Sequence, residues 1–275
     1  MHIPLRQNKG ITLIELLVAL VITGILVAAV YRTFTSQQKT YTVQEQVVDM
    51  QQNVRAGINR MMREIRMAGF GTVSMVLPVT IGGRTFNNEV NLDTPAVGAL
   101  TIVSAMGSTT LAGIPATNKI TVNSLTDSQG NTLFDTGDKR YISIGGVESY
   151  TITNIAGNTL TLSGNLTYNH PVNTPIFGVR AISYQVGVVD GIPTLLRDEN
   201  TGAGAQPLAD NIEALQFGYL DANGDPTANP LNIRIVQVTL RARTNDSDPY
   251  YKSDGGFRKR TIASNVHLKN MGLEL

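Results

Sequence analysis

The sequence predicts an α+β chain, one long N-terminal helix packed on an antiparallel β-sheet head, and three observations predict it. Residues 11–30 are apolar except for Glu15, two threonines and a glycine. Apolar side chains then recur at helical three and four spacing, with no proline between Pro4 and Pro78. From Val73 onward the texture changes to short runs of β-branched residues broken by Gly, Asn, Asp and Pro, as antiparallel strands and their turns require.

The apolar run from Ile11 to Val30 is about the 20 residues that a helix needs to cross a bilayer. Its one carboxylate, Glu15, costs roughly 2.5–3.5 kcal/mol in hydrocarbon on insertion scales, so it demands a partner. The flank shows how a partner arises. Met1 to Gly10 is short and polar, carries Arg6 and Lys9, and ends in a glycine ahead of the apolar run, whereas a secretory signal places its small-residue cleavage site behind it. Cleavage after Gly10 would leave the helix in place and create a free amine on Ile11, four positions from Glu15. An amine and a carboxylate at that spacing pair within one helix, or between staggered neighbouring helices.

Beyond Val30 the stripe Tyr31, Phe34, Tyr41, Val47, Val48, Val54, Ile58, Met61, Met62 and Ile65 is interleaved with polar residues such as Gln38, Glu45, Arg55 and Glu64. One helix from Thr12 to Met67 is predicted, apolar all round at first and amphipathic afterwards, on the order of 80 Å long. Ala68-Gly69-Phe70-Gly71 supplies the stop. Met61, Met62 and Met67 are expected to be core packing. The division expected is 1–10 leader, 11–30 spanning helix, 31–68 amphipathic helix and 69–275 head.

Strands are expected at 73–81, 99–104, 119–123, 140–144, 149–155, 159–162, 176–189, 194–197, 212–220, 232–243 and 258–267, with hairpin turns at Gly157-Asn158 and Asp190-Gly191. Three stretches, 82–97, 107–117 and 244–256, read as polar linkers, either the place for partner-specific surface or plain solvated loops. Residues 126–131 and 220–225 look like two copies of one turn.

These residues carry a resemblance. Gly10-Ile11-Thr12-Leu13-Ile14-Glu15 resembles the class III signal of type IV prepilins and secretion pseudopilins. The resemblance implies cleavage after Gly10 by prepilin peptidase, N-methylation of Ile11 by the same enzyme, and neutralisation of a neighbouring subunit's amine by Glu15. Gly24 stands where many pilins weaken the helix; Arg32 stands where many major pilins have proline. Met62 to Phe70, Ala181 to Val186, Gly191 to Arg197 and Leu208 to Tyr219 resemble PilW-type minor pilins, and the J-type minor pseudopilin of type II secretion shares much of this order. The fold implied is pilin-like.

Net charge is +1 and only 16% of residues are charged, so no nucleic-acid surface is expected. With no cysteine, disulfides, Cys-based zinc sites and thiol catalysis are excluded. His2, His170 and His267 are scattered, and no H-E-x-x-H, G-x-S-x-G, phosphate loop or dinucleotide fingerprint is present, so no enzyme is expected. Asp221, Asn223 and Asp225 have the spacing of the first half of a calcium loop, but Pro226 replaces the needed glycine and the closing glutamate is missing. Calcium is the one cofactor considered, with Asp246, Asp248 and Asp254 as a weaker second cluster.

The expected function is a minor pilin that helps initiate a type IV pilus near its tip, anchored by one span in the inner membrane with its head outside the cytoplasm, then part of the filament. Its expected partners are other major and minor pilins, prepilin peptidase, the inner-membrane assembly platform and membrane lipid. A type II secretion pseudopilin and a monomeric membrane-anchored binding domain are the alternatives.

Overall fold

The computed structural model describes residues 11–70 and 77–271. The leader with Gly10, and residues 71–76, which include Gly71 and the first four residues of the first expected strand, lie outside the described residues. The chain divides into two units, residues 1–49 and 50–275.

In the first unit the described residues are helical from Leu13 onward. Helix α1 runs Leu13–Ile65, so its first turns and its whole apolar run belong here. Leu13, Ile14, Leu20, Ile25 and Val30 are all exposed, as befits side chains selected for a hydrocarbon or helical surround. Thr33, Thr35, Thr40 and Thr42 each return their hydroxyl to the carbonyl four residues back, at 3.0–3.1 Å. This satisfies the hydroxyls within the helix and lets β-branched residues persist there. Tyr31, Phe34, Tyr41 and Val48, expected in a buried stripe, are exposed. The burial predicted from Tyr31 onward begins only at Met50.

In the second unit the end of α1 buries Met50, Val54, Gly57, Ile58, Met61 and Ile65, a stripe at three and four spacing. Met61 is thereby a core residue. Gly57 lets the helix approach the sheet: a Cβ there would lie 3.1 Å from Ala209 Cβ and 3.3 Å from Leu195 Cδ2. The helix stops two residues earlier than Met67. Gly69 adopts φ +70°, the left-handed conformation that glycine supplies, and its N–H passes to Val103 O at 3.0 Å.

The main sheet is organised by β9, Pro175–Val189. One edge pairs with β4, Leu100–Thr110. The opposite edge pairs with β10, Ile192–Asp198, at one end and with β6, Tyr141–Ile144, at the other. Where β10 and β6 part, Asn200 closes the gap: its Nδ2 donates to Ala181 O (3.1 Å) and Ser183 Oγ (2.8 Å). β11, Gln206–Asp210, lies outside β10, and β3, Val90–Leu92, lies outside β4. A separate meander of β12 (Ile212–Leu220), β13 (Ile235–Arg243) and β14 (Lys259–His267) buries Val236, Val238, Leu240 and Ala242.

Thr110 of β4 pairs with Pro175 of β9, so everything between them is inserted into one hairpin. This insertion, residues 111–174, contains β5 (Lys119–Thr121), β6, β7 (Glu148–Ala156) and β8 (Thr159–Leu162). It has its own core of Ile120, Val122, Phe134, Ile142, Ile152 and Leu160, among others.

Two expected linkers are corrected. Residues 82–97 contain β2 (Arg84–Phe86), paired with β1 (Val79–Ile81), and β3. Residues 107–110 continue β4. Strand β11 had no counterpart among the expected strands, because Pro207 argues against a strand interior; as an outer strand it tolerates the proline.

Candidate processing and assembly site

The N-terminal side chains are placed by the first turn of α1. Thr12 precedes the helix and Glu15 is its third residue, so Thr12-Leu13-Ile14-Glu15 is a capping box. Glu15 Oε2 accepts from the Thr12 backbone N–H at 2.9 Å and from its hydroxyl at 2.9 Å. Thr12 Oγ1 accepts in return from Glu15 N–H at 3.3 Å. The box satisfies donors that a helix start leaves orphaned, and a threonine cap contributes about 1 kcal/mol.

The arrangement has a chemical consequence. The Glu15 carboxylate is held back toward the residue that follows Gly10, where cleavage would create an amine. Glu15 and Ile11 are both exposed, so the carboxylate is available to a second helix. Thr12 was not among the expected site residues, although Thr-x-x-Glu before an apolar run is a local signature.

Residues 5–31 match the prokaryotic N-terminal methylation motif. The motif supports a prepilin of the type IV pilin or pseudopilin kind, a structural protein processed by prepilin peptidase and assembled with other pilins. The apolar helix within it fits inner-membrane anchoring. No curated protein and no solved structure matches the chain.

Behind the prepilin motif, the head is joined to the end of α1 by a polar cluster. Glu64 accepts from Arg197 Nε at 2.9 Å, from the Tyr184 hydroxyl, and more weakly from Arg60 Nε at 3.5 Å. Arg197 also donates to Glu199 at 2.5 Å. Burial pushes the Glu64 carboxyl up, but the Arg197 and Tyr184 hydrogen bonds and the charges of Arg197 and Arg60 outweigh it and hold it below the usual carboxylate range. Burial and the adjacent Glu64 push the Tyr184 phenol up, which keeps it a neutral donor. Glu64, Tyr184 and Arg197 come from three of the stretches that carry the resemblance to minor pilins, and the structure brings them to one point.

The calcium candidates are placed as follows. Asp221 Oδ1 accepts the backbone N–H groups of Asn223 (2.8 Å) and Asp225 (3.0 Å), closing a turn with Gly224 at φ +87°. Asp127 does the same for Gln129 and Asn131, both at 2.8 Å, with Gly130 at φ +83°. One turn therefore accounts for both similar sequences, and Asp221 is spent partly on its own backbone. Asp248 is ion-paired with Arg258 at 3.0 Å, while Asp254 lies 3.8 Å from Lys259. Among the described residues, no three His, Cys, Asp or Glu side chains converge to hold a metal.

Proposed function

We propose that the chain is a minor pilin, a structural subunit that helps initiate a type IV pilus near its tip. Prepilin peptidase removes residues 1–10 and methylates Ile11, and Glu15 of the processed subunit then receives the terminal amine of a neighbour. The observation that carries this reading is the methylation motif in which Glu15, the one carboxylate of an apolar helix, is aimed at the helix N-terminus by Thr12. Lipid is as apolar as the partner, so close van der Waals packing of residues 11–30 rather than a hydrophobic drive supplies affinity there; the charge pair sets the stagger. An intact Glu15 supports a position beneath another subunit rather than last at the tip; the head of such a subunit lies outside the cytoplasm.

Substitution tests it. Glu15→Ala should be processed normally and remain in the membrane, yet be missing from sheared filaments. Incorporation at the wild-type level would overturn the role given to Glu15. Recovery of the wild-type chain only in the membrane fraction would favour a monomeric anchor. Filaments of a secretion system rather than a pilus would favour the pseudopilin reading, which the same motif fits.

A further inference from the structure

The inserted lobe carries a groove lined by none of the residues assigned to processing or assembly. It lies between residues 112–117 and 166–171, tied together by Leu166 N–H donating to Thr117 O at 2.8 Å. Ile114, Pro115, Thr117, Tyr168, Asn169 and Pro171 line it, around about 420 Å³, a volume in the range of small-molecule sites.

The groove is built rather than incidental. Beneath it the buried Glu148 carboxylate accepts from Thr167 N–H (2.9 Å) and the Tyr150 hydroxyl (2.7 Å), and meets buried His170 Nε2 at 2.5 Å. Burial pushes the Glu148 carboxyl up, but these hydrogen bonds outweigh it and hold it below the usual range. The backbone of 167–170 is thereby fixed from below. On the facing wall Thr117 sits at φ +43°. A β-branched residue in the left-handed region costs on the order of 1–3 kcal/mol, and persists where the surroundings over-determine it.

The lining selects the ligand class. None of its residues is an Asp, Glu, Lys or Arg, and its one titratable base, His170, is buried and engaged with Glu148. A phosphate, nucleotide or carboxylate would surrender its hydration here for no counter-charge. What the groove presents instead is an aromatic ring 57% exposed, Tyr168, flanked by aliphatic Ile114, 84% exposed, and by neutral hydroxyl and amide groups. A surface of C–H patches alternating with neutral hydroxyls complements it, which is the surface of an uncharged sugar ring.

We infer that this groove binds a neutral pyranoside, its C–H face against Tyr168 and its hydroxyls toward Thr117 and Asn169. The test uses the full chain in a non-glycosidic detergent, with methyl glucopyranoside, methyl galactopyranoside, methyl mannopyranoside and N-acetylglucosamine as probes and glucuronate as the charged control. Saturation-transfer NMR at concentrations up to about 10 mM detects ligands whose Kd is near 1 mM. At least one neutral sugar should receive saturation on its C–H face, and glucuronate should not. Tyr168→Ala should weaken binding about tenfold, equivalent to about 1.4 kcal/mol, without lowering the melting temperature, because the ring is exposed. Four results would each overturn the inference: no transfer to any neutral sugar, equal transfer to glucuronate, binding that survives Tyr168→Ala, or cross-linking of position 168 to a co-assembled subunit in intact filaments.

Discussion

Removing the Arg197 cation tests how the head is held to the end of α1. In Arg197→Met the aliphatic length is kept, but Glu64 loses a charge-assisted hydrogen bond of 2.9 Å and retains Tyr184 and a longer contact to Arg60. Breaking a fully buried pair costs about 3–5 kcal/mol. The side chains of Glu64 and Arg197 are 15% and 11% exposed, and Tyr184 still serves the carboxylate, so the expected loss is about 2–3 kcal/mol. For a chain of this size that lowers Tm by roughly 5–10 °C, measured by circular dichroism on the full chain in detergent. The sign of the pH dependence follows from Glu64. Its carboxyl titrates lower in the folded chain than its ordinary value of 4.5, so its contribution is present above that value and lost as pH falls through the folded-state value. Wild type and Arg197→Met should therefore differ at pH 7 and converge under acid. A loss below about 0.5 kcal/mol, the size of an exposed ion pair, or a difference that stays constant into acid, would show that Arg197 and Glu64 do not hold the head to α1.

Gly57 should tolerate Ala, whose gain in helix propensity of about 1 kcal/mol offsets a contact of 3.1 Å with Ala209, whereas Gly57→Leu should cost about 1–3 kcal/mol by overpacking, read as a fall in Tm. Gly82→Ala should be strongly destabilising, because φ is +56° and a Cβ would stand 1.9 Å from Asn200 O, next to the side chain that closes the gap beside β9; an unchanged Tm would contradict this. Calcium at Asp221, Asn223 and Asp225 is tested by calorimetry on the full chain: binding heat that Asp225→Asn abolishes supports the site, and no heat at millimolar calcium removes it.

Much of this organisation was legible because its signals are local. The apolar run, the lone Glu15 and the glycine at residue 69 each announce their element within a few positions. Long strands such as β9, β12 and β14 declared themselves by β-branched residues. The failures are of two physical kinds. Strands β2 and β3 have three residues each, too few for alternation to show. Pairings between distant positions leave no local trace: Glu64 meets Tyr184 across 120 positions and Arg197 across 133, and nothing near Thr110 says that it faces Pro175. The insertion at 111–174, and the groove on it, were invisible for the same reason. Thr12 is a different case, since its capping box is readable: Thr-x-x-Glu ahead of an apolar run gives Glu15 a partner three residues away as well as one in another subunit. At Asp221 the same acidic spacing also makes a turn, in which the backbone N–H groups of Asn223 and Asp225 take Oδ1.

Under the proposed function, proteolysis creates the amine that Glu15 awaits. Intact-mass analysis of the chain recovered from sheared filaments measures this directly. The expected mass lacks Met1 to Gly10 and carries one added methyl group on Ile11. A filament-borne chain that keeps residues 1–10, or that begins elsewhere than Ile11, would contradict it.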